Sequence, residues 1–278
     1  MLVFTTNKKH LERHFQKDPV LFGYHQGDLD DFYFPDCQWA ADYHQRARIE
    51  ELILIYSGLK TATVLALGLT DRFEQLLEET IELLPKEFYC HFFKSCRSVF
   101  GKLYDEKPLG KFLKMKLIDR QKCESLALDK NDNIVRLELS HYQQLQELYE
   151  QAYPDNYFNN SMLETGKYFG YIIEQKLVAV AGVHVYSKKY KIAVLGNIAT
   201  YEKFRSKGLA TKVTAALVRE LAGEGLLVAL NVKSDNEAAI KCYAKLGFEK
   251  THEYEESFFY FGLNLNTTRS GKPDFVSL

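Results

Sequence analysis

Few cysteines occur in this sequence, and their number is odd. The 278 residues include five cysteines, which are Cys37, Cys90, Cys96, Cys123 and Cys242. A scattered, odd-numbered set favours reduced thiols over a disulfide framework and predicts a cytoplasmic protein. Cys90-His91 with Cys96 is the only group that resembles metal ligands, and no second pair follows it at zinc spacing. We therefore predict no metal site.

Long apolar runs and an excess of basic residues are also missing. No stretch approaches the roughly 20 apolar residues of a membrane span, and the apolar stretch at the N-terminus is too short for a signal peptide. The formal net charge is -1, whereas a dedicated nucleic-acid binder normally carries a basic surplus. We expect a soluble globular protein of one large or two ordinary domains that binds neither membrane nor nucleic acid.

Three common motifs are absent as well. Neither Gly-x-Gly-x-x-Gly nor Gly-x-x-x-x-Gly-Lys-Ser/Thr occurs, which argues against dinucleotide and nucleoside-triphosphate binding. No Gly-x-Ser-x-Gly elbow is present either, so the sequence offers no nucleophilic serine of the hydrolase type.

One stretch, residues 198–248, carries the strongest functional signal. Residues 191–200 are apolar and partly β-branched, as in a buried strand, and apolar residues recur at helical spacing from Leu209 onward. The change of period predicts a loop that leads into a helix N-terminus, where unpaired N–H groups suit an anion. Gly208 has no Cβ and lets the backbone approach a ligand. The cationic side chains nearby are Arg205, Lys207 and Lys212.

The second half of this stretch predicts another strand and a short helix. Residues 226–232 are an apolar run, and Asn236 belongs to a Ser-Asp-Asn sequence in which every residue is a good N-cap. Gly247 stands where a helix C-cap glycine belongs. Asn236 and Tyr243 are two turns apart and therefore share one helix face.

Together these features resemble the GNAT superfamily of acyl-CoA N-acyltransferases. The shared pattern is strand, Arg-x-x-Gly-x-Ala, helix, strand, Asn-x-x-Ala-x-x-x-Tyr-x-x-x-Gly-Phe. The matching residues are Arg205, Gly208, Ala210, Asn236, Ala239, Tyr243, Gly247 and Phe248. The resemblance covers roughly residues 134–262, and the texture of residues 198–210 is closest to the glycine N-acyltransferase-like branch.

The resemblance implies acyl transfer from acetyl-CoA to a primary amine, by direct attack in a ternary complex. Tyr243 would protonate the departing thiolate, with packing against the sheet as the alternative role. Asn236 would bind the pantetheine arm or cap its helix. Backbone groups of Ile198, Ala199 and Thr200 would hold the pantetheine and thioester. The pyrophosphate would lie on the N–H groups of Arg205, Ser206, Lys207, Gly208, Leu209, Ala210 and Thr211.

The residues offer several candidates for the general base. Some family members place a glutamate on the strand before the phosphate loop, but residues 193–196 are Ala-Val-Leu-Gly. His184, one strand earlier, is the candidate, and Glu138 and Asp155 are alternatives. A water could also serve, or the amine could arrive neutral. The aromatic residues of loop 153–158 could line the acceptor site or simply pack inward.

Residues 1–125 predict the order α-β-α-β-β-β-α-β-α-β, with a short strand at Val20–Tyr24. No Arg-x-x-Gly-x-Ala occurs there, so we interpret this half as a degenerate GNAT-like copy, with an unrelated α+β domain as the alternative. The predicted fold is therefore α/β (α+β), a tandem GNAT-like arrangement with a mixed central sheet flanked by helices. A linker at 126–133 would precede the cofactor-binding domain at 134–278.

The predicted function is an N-acetyltransferase with acetyl-CoA as co-substrate and a small-molecule or peptide amine as acceptor. A monomer or homodimer is expected. The alternative is a catalytically inactive acyl-CoA-binding, regulatory or interaction protein of the same fold. The identity of the amine and the preferred acyl chain do not follow from the residues.

Overall fold

Twelve strands form one mixed sheet in the computed structural model, which describes residues 2–44, 48–128, 132–154 and 156–262. The strands are β1 (Leu2–Phe4), β2 (Cys37–His44), β3 (Arg48–Tyr56), β4 (Ala62–Ala66), β5 (Glu87–Phe92), β6 (Tyr104–Leu117), β7 (Ile134–Arg136), β8 (Phe169–Ile173), β9 (Lys176–Ser187), β10 (Ile192–Thr200), β11 (Leu227–Lys233) and β12 (Phe248–Phe261). The helices are α1 (Lys8–Phe15), α2 (Gly23–Gly27), α3 (Arg72–Thr80), α4 (Arg97–Phe100), α5 (Arg120–Ser125), α6 (Tyr142–Ala152), α7 (Leu209–Gly223) and α8 (Glu237–Lys245).

The same order of elements occurs twice along the chain. The first repeat runs β1-α1-α2-β2-β3-β4-α3-β5-α4-β6, and the second runs β7-α6-β8-β9-β10-α7-β11-α8-β12 with a 3-10 turn at Asn160–Thr165 in place of α2. Each repeat contains one parallel pair, β4 with β5 and β10 with β11, whereas its other strand pairs are antiparallel. The predicted α/β architecture with a mixed sheet and two copies is confirmed.

The last strand of each repeat crosses into the other repeat. The sheet order is β1-β2-β3-β4-β5-β12-β6-β11-β10-β9-β8-β7, so β12 lies between β5 and β6 while β6 lies between β12 and β11. β12 and β6 are 14 residues each. The C-terminal strand therefore completes the N-terminal half, and β6 completes the C-terminal half. The boundary predicted between residues 125 and 134 stays a prediction.

Three groups of buried apolar residues fill the space between sheet and helices. One surrounds α6, α7 and α8, and a second lies under α3 and α4. The third lies under α1 and α2 and draws on both halves, because Phe22 and Trp39 pack there with Ile192 and Tyr254. Helix α2 thus rests on strands of the C-terminal half, β9 and β10.

The strand predicted at Val20–Tyr24 is wrong, since these residues form a turn that enters α2. A short apolar run does not distinguish a strand from a buried helical turn by its period. The glycines of α2 show why a helix fits. A Cβ on Gly27 would come within 1.7 Å of a Val185 methyl group, so this helix approaches the sheet closely because it lacks side chains there.

Phe259 provides a test of the strand exchange. It is 1% exposed on β12, and its ring stacks on Phe100 of the N-terminal half at 4.5 Å. We expect Phe259→Ala to lower the free energy of unfolding by about 3–5 kcal/mol through the cavity it leaves. Phe261→Ala, on the same strand but 49% exposed, should change it by less than about 0.5 kcal/mol. Denaturant titration followed by circular dichroism measures both, and equal, small effects would contradict this packing.

Candidate active site

The parallel strands β10 and β11 separate halfway along β10. They pair from Ile192 with Leu227 to Leu195 with Leu230. Beyond that point β10 pairs only with β9, and β11 pairs only with β6, within the described residues. The edge of β10 from Gly196 to Thr200 is therefore open, and an open edge can bond an extended, amide-containing chain. Ile198, Ala199 and Thr200, the residues predicted to hold pantetheine, lie on this slot.

A bulge in β10 shapes the slot. The register with β9 shifts between Gly196 and Ala199, and Asn197 has a φ of 53°, which is uncommon for a non-glycine residue. The Tyr149 hydroxyl donates to the Asn197 carbonyl at 2.7 Å and holds this backbone in place. The Thr200 hydroxyl, at the end of the slot, is buried and has no hydrogen bond within the described ranges.

The loop after β10 has positive φ angles and leads into a helix N-terminus. Ser206 and Gly208 have φ angles of 61° and 77°, and Gly208 is the N-cap of α7. The first amide bonded along the helix is that of Lys212, to the Gly208 carbonyl. The amides of residues 206–211 have no backbone partner in the described part of the chain. Six consecutive free N–H groups at a helix N-terminus favour a phosphate.

The three cationic side chains predicted around this loop play different parts. Arg205 donates to the Thr200 carbonyl at 3.2 Å and so ties the loop to the end of β10. The ammonium of Lys207 lies 5.2 Å from the Phe204 ring centroid. Lys212 forms an ion pair with Asp132 at 2.5 Å, so part of its charge is balanced within the protein.

Asn236 and Tyr243 lie on α8, as the sequence predicts. Asn236 is the N-cap, and its side-chain oxygen accepts from the Ala239 amide at 3.1 Å. Tyr243 is 7% exposed, and its ring lies edge-on to that of Phe248, with centroids 6.1 Å apart. Burial raises the pKa of Tyr243 well above its ordinary value, so the phenol keeps its proton at neutral pH and can give it away only to a strong base. Its role as the acid stays a prediction.

His184 lies at the mouth of the slot. A Cβ on Gly196 would come within 2.2 Å of the His184 ring, so the imidazole covers the first residue of β10 beyond the pairing with β11. Its Nδ1 lies 2.9 Å from the Tyr24 hydroxyl, and its Nε2 lies 3.2 Å from Asn197 Oδ1. Burial lowers the pKa of His184 below the usual histidine value, although the Asn197 bond opposes this.

One of the two alternative bases has a structural role instead. Glu138 is exposed and caps the short turn Leu139–His141. Asp155 lies outside the described residues. Two aromatic residues of loop 153–158 have different surroundings. Phe158 packs inward on Tyr149, whereas the Tyr157 ring lies edge-on to the His184 ring, with centroids 6.5 Å apart.

Polar residues of both halves lie on the strands next to this site, and no motif in the sequence predicts them. Asn231 on β11 lies opposite Lys114 on β6, and Glu256 on β12 lies opposite His91 on β5. The Tyr254 hydroxyl donates to Glu256 at 2.6 Å. Residues so far apart in sequence give no local signal, since only the strand exchange puts them on one face of the sheet.

Burial governs the charges of this cleft. It raises the pKa of Glu256 to about 7 and lowers the pKa of Lys114 to about 8. Lys114 is 2% exposed, and its ammonium lies 4.8 Å from the ring centroid of Tyr254 and 5.3 Å from that of Tyr24. Burial lowers the pKa of His91 as well. His91 and His184 are therefore both neutral at physiological pH.

No corresponding slot occurs among the described residues of the N-terminal repeat. Every residue of β4 pairs with β5, so these strands do not separate. The buried carboxylate of Glu51 accepts from the Leu69 amide at 3.0 and 3.2 Å, just before α3, and Asp71 stands at the N-cap. Fixed carboxyl groups therefore occupy the region where the other repeat offers free N–H groups, which disfavours a phosphate there.

Comparison with known proteins agrees with this geometry. Residues 131–248 match the model of the acetyltransferase (GNAT) family. Over these residues, called the GNAT domain below, the chain is similar to GNAT acetyltransferases. No curated protein matches the chain, and the glycine N-acyltransferase-like assignment stays a prediction.

Solved structures similar to this chain extend the likeness beyond the GNAT domain. A Drosophila protein shares 13% identity over 93% of this chain and 98% of its own, with a TM-score of 0.71. A GCN5-related N-acetyltransferase from Sphaerobacter thermophilus shares 11% over 93% and 94%, with 0.61. A tandem GNAT protein from the clavulanic acid biosynthesis pathway shares 12% over 93% and 98%, with 0.55. At such identities the likeness shows a shared fold.

None of the helices within the described ranges is long and apolar enough to cross a membrane. The same ranges contain no group of three His, Cys, Asp or Glu side chains positioned to hold a metal ion.

Glu256 gives the cleft a measurable pH dependence. Its raised pKa means that the folded protein binds this proton more tightly than the unfolded chain, so its ionisation destabilises the fold as pH rises from about 4 to 7. Glu256→Gln should therefore be more stable than the wild type at pH 8, by about 1–3 kcal/mol, and equal to it near pH 4. Urea unfolding at both pH values measures this difference.

The control for this prediction is Glu249→Gln on the exposed part of the same strand. It should leave the difference from the wild type small and independent of pH. The other ionisable groups near the Glu256 carboxylate are Lys114, Lys233, His91 and Tyr254. A pH-independent difference for Glu256→Gln would contradict the raised pKa.

Proposed function

We propose that this protein transfers an acetyl group from acetyl-CoA to a primary amine of a small molecule or peptide. The observation that carries the proposal is the continuous path from the open edge of β10 to the six free N–H groups at the start of α7. An extended amide-containing arm that ends in a pyrophosphate matches this path in chemistry and in order.

The residues on the path fit such a ligand by independent criteria. The buried Thr200 hydroxyl has no partner among the described residues, and it lies where the arm would pass. A Cβ on Gly208 would meet nothing within 4 Å, so the space above the loop is open. The φ of Gly208 is 77°, in the left-handed region that glycine adopts without strain.

The chemistry follows from the placement of side chains. The bound thioester supplies an activated acyl carbon. Open amides of β10 would donate to the oxygen that gains charge during attack. Tyr243 keeps its proton until a thiolate forms, and a thiolate leaving the acyl carbon is basic enough to take it. The acceptor amine would enter from the cleft beside His184 and Tyr157.

The remaining attributes are part of the same proposal. A cytoplasmic location is consistent with five free cysteines. A monomer or homodimer would suffice, since the site draws its described residues from one chain. The resemblance to the superfamily makes acetyl the expected acyl group.

Gly208 offers the most direct test of the cofactor site. Titration calorimetry of acetyl-CoA into the wild-type protein should give binding in the micromolar range. Gly208→Glu should abolish it, because a carboxylate and a side chain would occupy the phosphate position. Gly225→Glu is the matched control, since Gly225 has a similar φ of 73° and open space but follows the other end of α7. A well-folded wild type that binds no acetyl-CoA would overturn the proposal.

Tyr243 distinguishes an enzyme from an inactive acyl-CoA-binding protein. Tyr243→Phe should lower kcat about 10²- to 10⁴-fold, the usual contribution of a general acid, and leave acetyl-CoA affinity unchanged. Thiol release in the presence of a panel of amino acids, polyamines and peptides measures kcat. Tyr186→Phe, which removes a hydroxyl bonded to Glu224 at the far end of α7, should keep wild-type kcat. Full activity in Tyr243→Phe would refute its role as the acid.

A further inference from the structure

Tyr24, in the N-terminal half, reaches the reaction centre of the GNAT domain. Its hydroxyl lies 2.9 Å from His184 Nδ1 across a separation of 160 residues, and the two rings stack with an interplanar angle of 25°. Gly23 and Gly27 let α2 approach β10 and β9 closely enough for this contact, since a Cβ on Gly23 would come within 3.2 Å of Val194. The Tyr24 side chain is partly exposed in the cleft.

A chain of hydrogen bonds fixes the direction of every proton at this contact. The Tyr168 hydroxyl donates to the Val183 carbonyl at 2.9 Å, so it accepts from Asn197 Nδ2 at 3.0 Å. Asn197 Oδ1 therefore faces His184 and must accept from its Nε2–H. The neutral His184 ring then has its lone pair on Nδ1, and that lone pair accepts the Tyr24 proton.

These hydrogen-bonded side chains also lie next to the open edge of β10. The His184 ring covers Gly196, where β10 leaves β11 and the thioester would lie. Tyr24 contacts the His184 ring at Nδ1, whereas Asn197 contacts it at Nε2. The side-chain amide of Asn231, whose nitrogen has no hydrogen bond to a described residue, is also near the Tyr24 hydroxyl. Since Tyr24 donates its own proton to His184, its oxygen would be available to accept a hydrogen bond from an amine in the cleft.

We propose that Tyr24 and His184 form a proton relay that acts as the general base for acyl transfer, with Tyr24 contacting the amine and His184 receiving the proton. This inference rests on the proposed function and deepens it. It assigns a catalytic residue to the half of the chain that lacks the cofactor slot, so neither half alone would contain a complete site.

Every proton that moves in this step has a donor and an acceptor. The amine nitrogen attacks the thioester carbon, and a C–N bond forms. The ammonium proton of the addition product passes to the Tyr24 oxygen as the Tyr24 proton passes to His184 Nδ1. The C–S bond then breaks, and the thiolate takes the Tyr243 proton. The imidazolium of His184 returns one proton to Tyr243 through water in the cleft, which restores both residues.

A weak base is sufficient for this step. An amine nitrogen becomes far more acidic once it is bonded to the acyl carbon, so the relay need not deprotonate a free alkylammonium ion. Asn197 Oδ1 already accepts the Nε2 proton, and this bond stabilises the imidazolium when it forms. Asn231 can donate to the Tyr24 oxygen during the transfer.

Several ionisable groups face the relay and would influence its titration. From neighbouring elements these are Lys114, Glu256, His91, Tyr153, Asp28 and Tyr157. Burial is the largest influence on His184 and lowers its pKa. The relay works only while His184 is neutral, so kcat should fall as the solution is acidified through this lowered pKa.

The test compares Tyr24→Phe and His184→Gln with the wild-type full-length protein. With saturating acetyl-CoA and the most active amine of the panel, each variant should lose about 10²-fold in kcat while keeping wild-type acetyl-CoA affinity and unfolding midpoint. The acid limb of the kcat–pH profile should be absent in His184→Gln. Tyr104→Phe is the matched control, because its buried hydroxyl bonds Ile81 and Leu84 away from the cleft.

A second readout does not require turnover. Long-range ¹⁵N–¹H correlation spectra, with the His184 signal assigned through His184→Gln, should show a neutral ring protonated on Nε2 at pH 7.5. A ring protonated on Nδ1, or wild-type kcat in Tyr24→Phe, would overturn the relay alone. No thiol release by the wild type with any amine would overturn the proposed function and the relay together.

Discussion

The pairing of β12 with both β5 and β6 is the constraint on which the rest of this structure depends. It joins two repeats into one sheet, and it gives each repeat a strand from the other half of the chain. Backbone pairing of this length fixes register, because a slip of one residue would turn Tyr254 and Glu256 to the opposite face. The cleft and the seat of α2 both follow from that register.

The two repeats differ in whether their parallel strands separate. In the GNAT domain, β10 extends past its pairing with β11, and a bulge at Asn197 leads to a loop with free amides. In the N-terminal repeat, β4 ends while still paired, and Glu51 bonds the Leu69 amide. One repeat therefore offers unsatisfied donors to a ligand, whereas the other satisfies its donors internally. The N-terminal repeat instead contributes α2, which packs on β9 and β10.

The cleft collects ionisable groups whose pKa values are shifted by burial, which disfavours their charged forms. Glu256 and Lys114 have pKa values moved toward physiological pH from opposite sides, and His91 and His184 are uncharged. Such groups lower stability when they ionise in a poorly solvated place. Their collection on one face, beside the slot, is typical of a site where protons move.

Local sequence determined much of the GNAT domain. Contacts between residues a few positions apart specify α7 and α8. They are the helical spacing after Leu209, the N-cap Asn236 and the C-cap Gly247, so the loop that leads into α7 and the helix α8 follow from local sequence. The turn at Val20–Tyr24, the full length of β6 and the residues around Glu256 depended on tertiary structure. Their partners lie from about 130 to about 170 residues away, and no periodic pattern encodes which distant strand will pair. Tyr24 meets His184 only because the exchanged strands bring both halves onto one sheet.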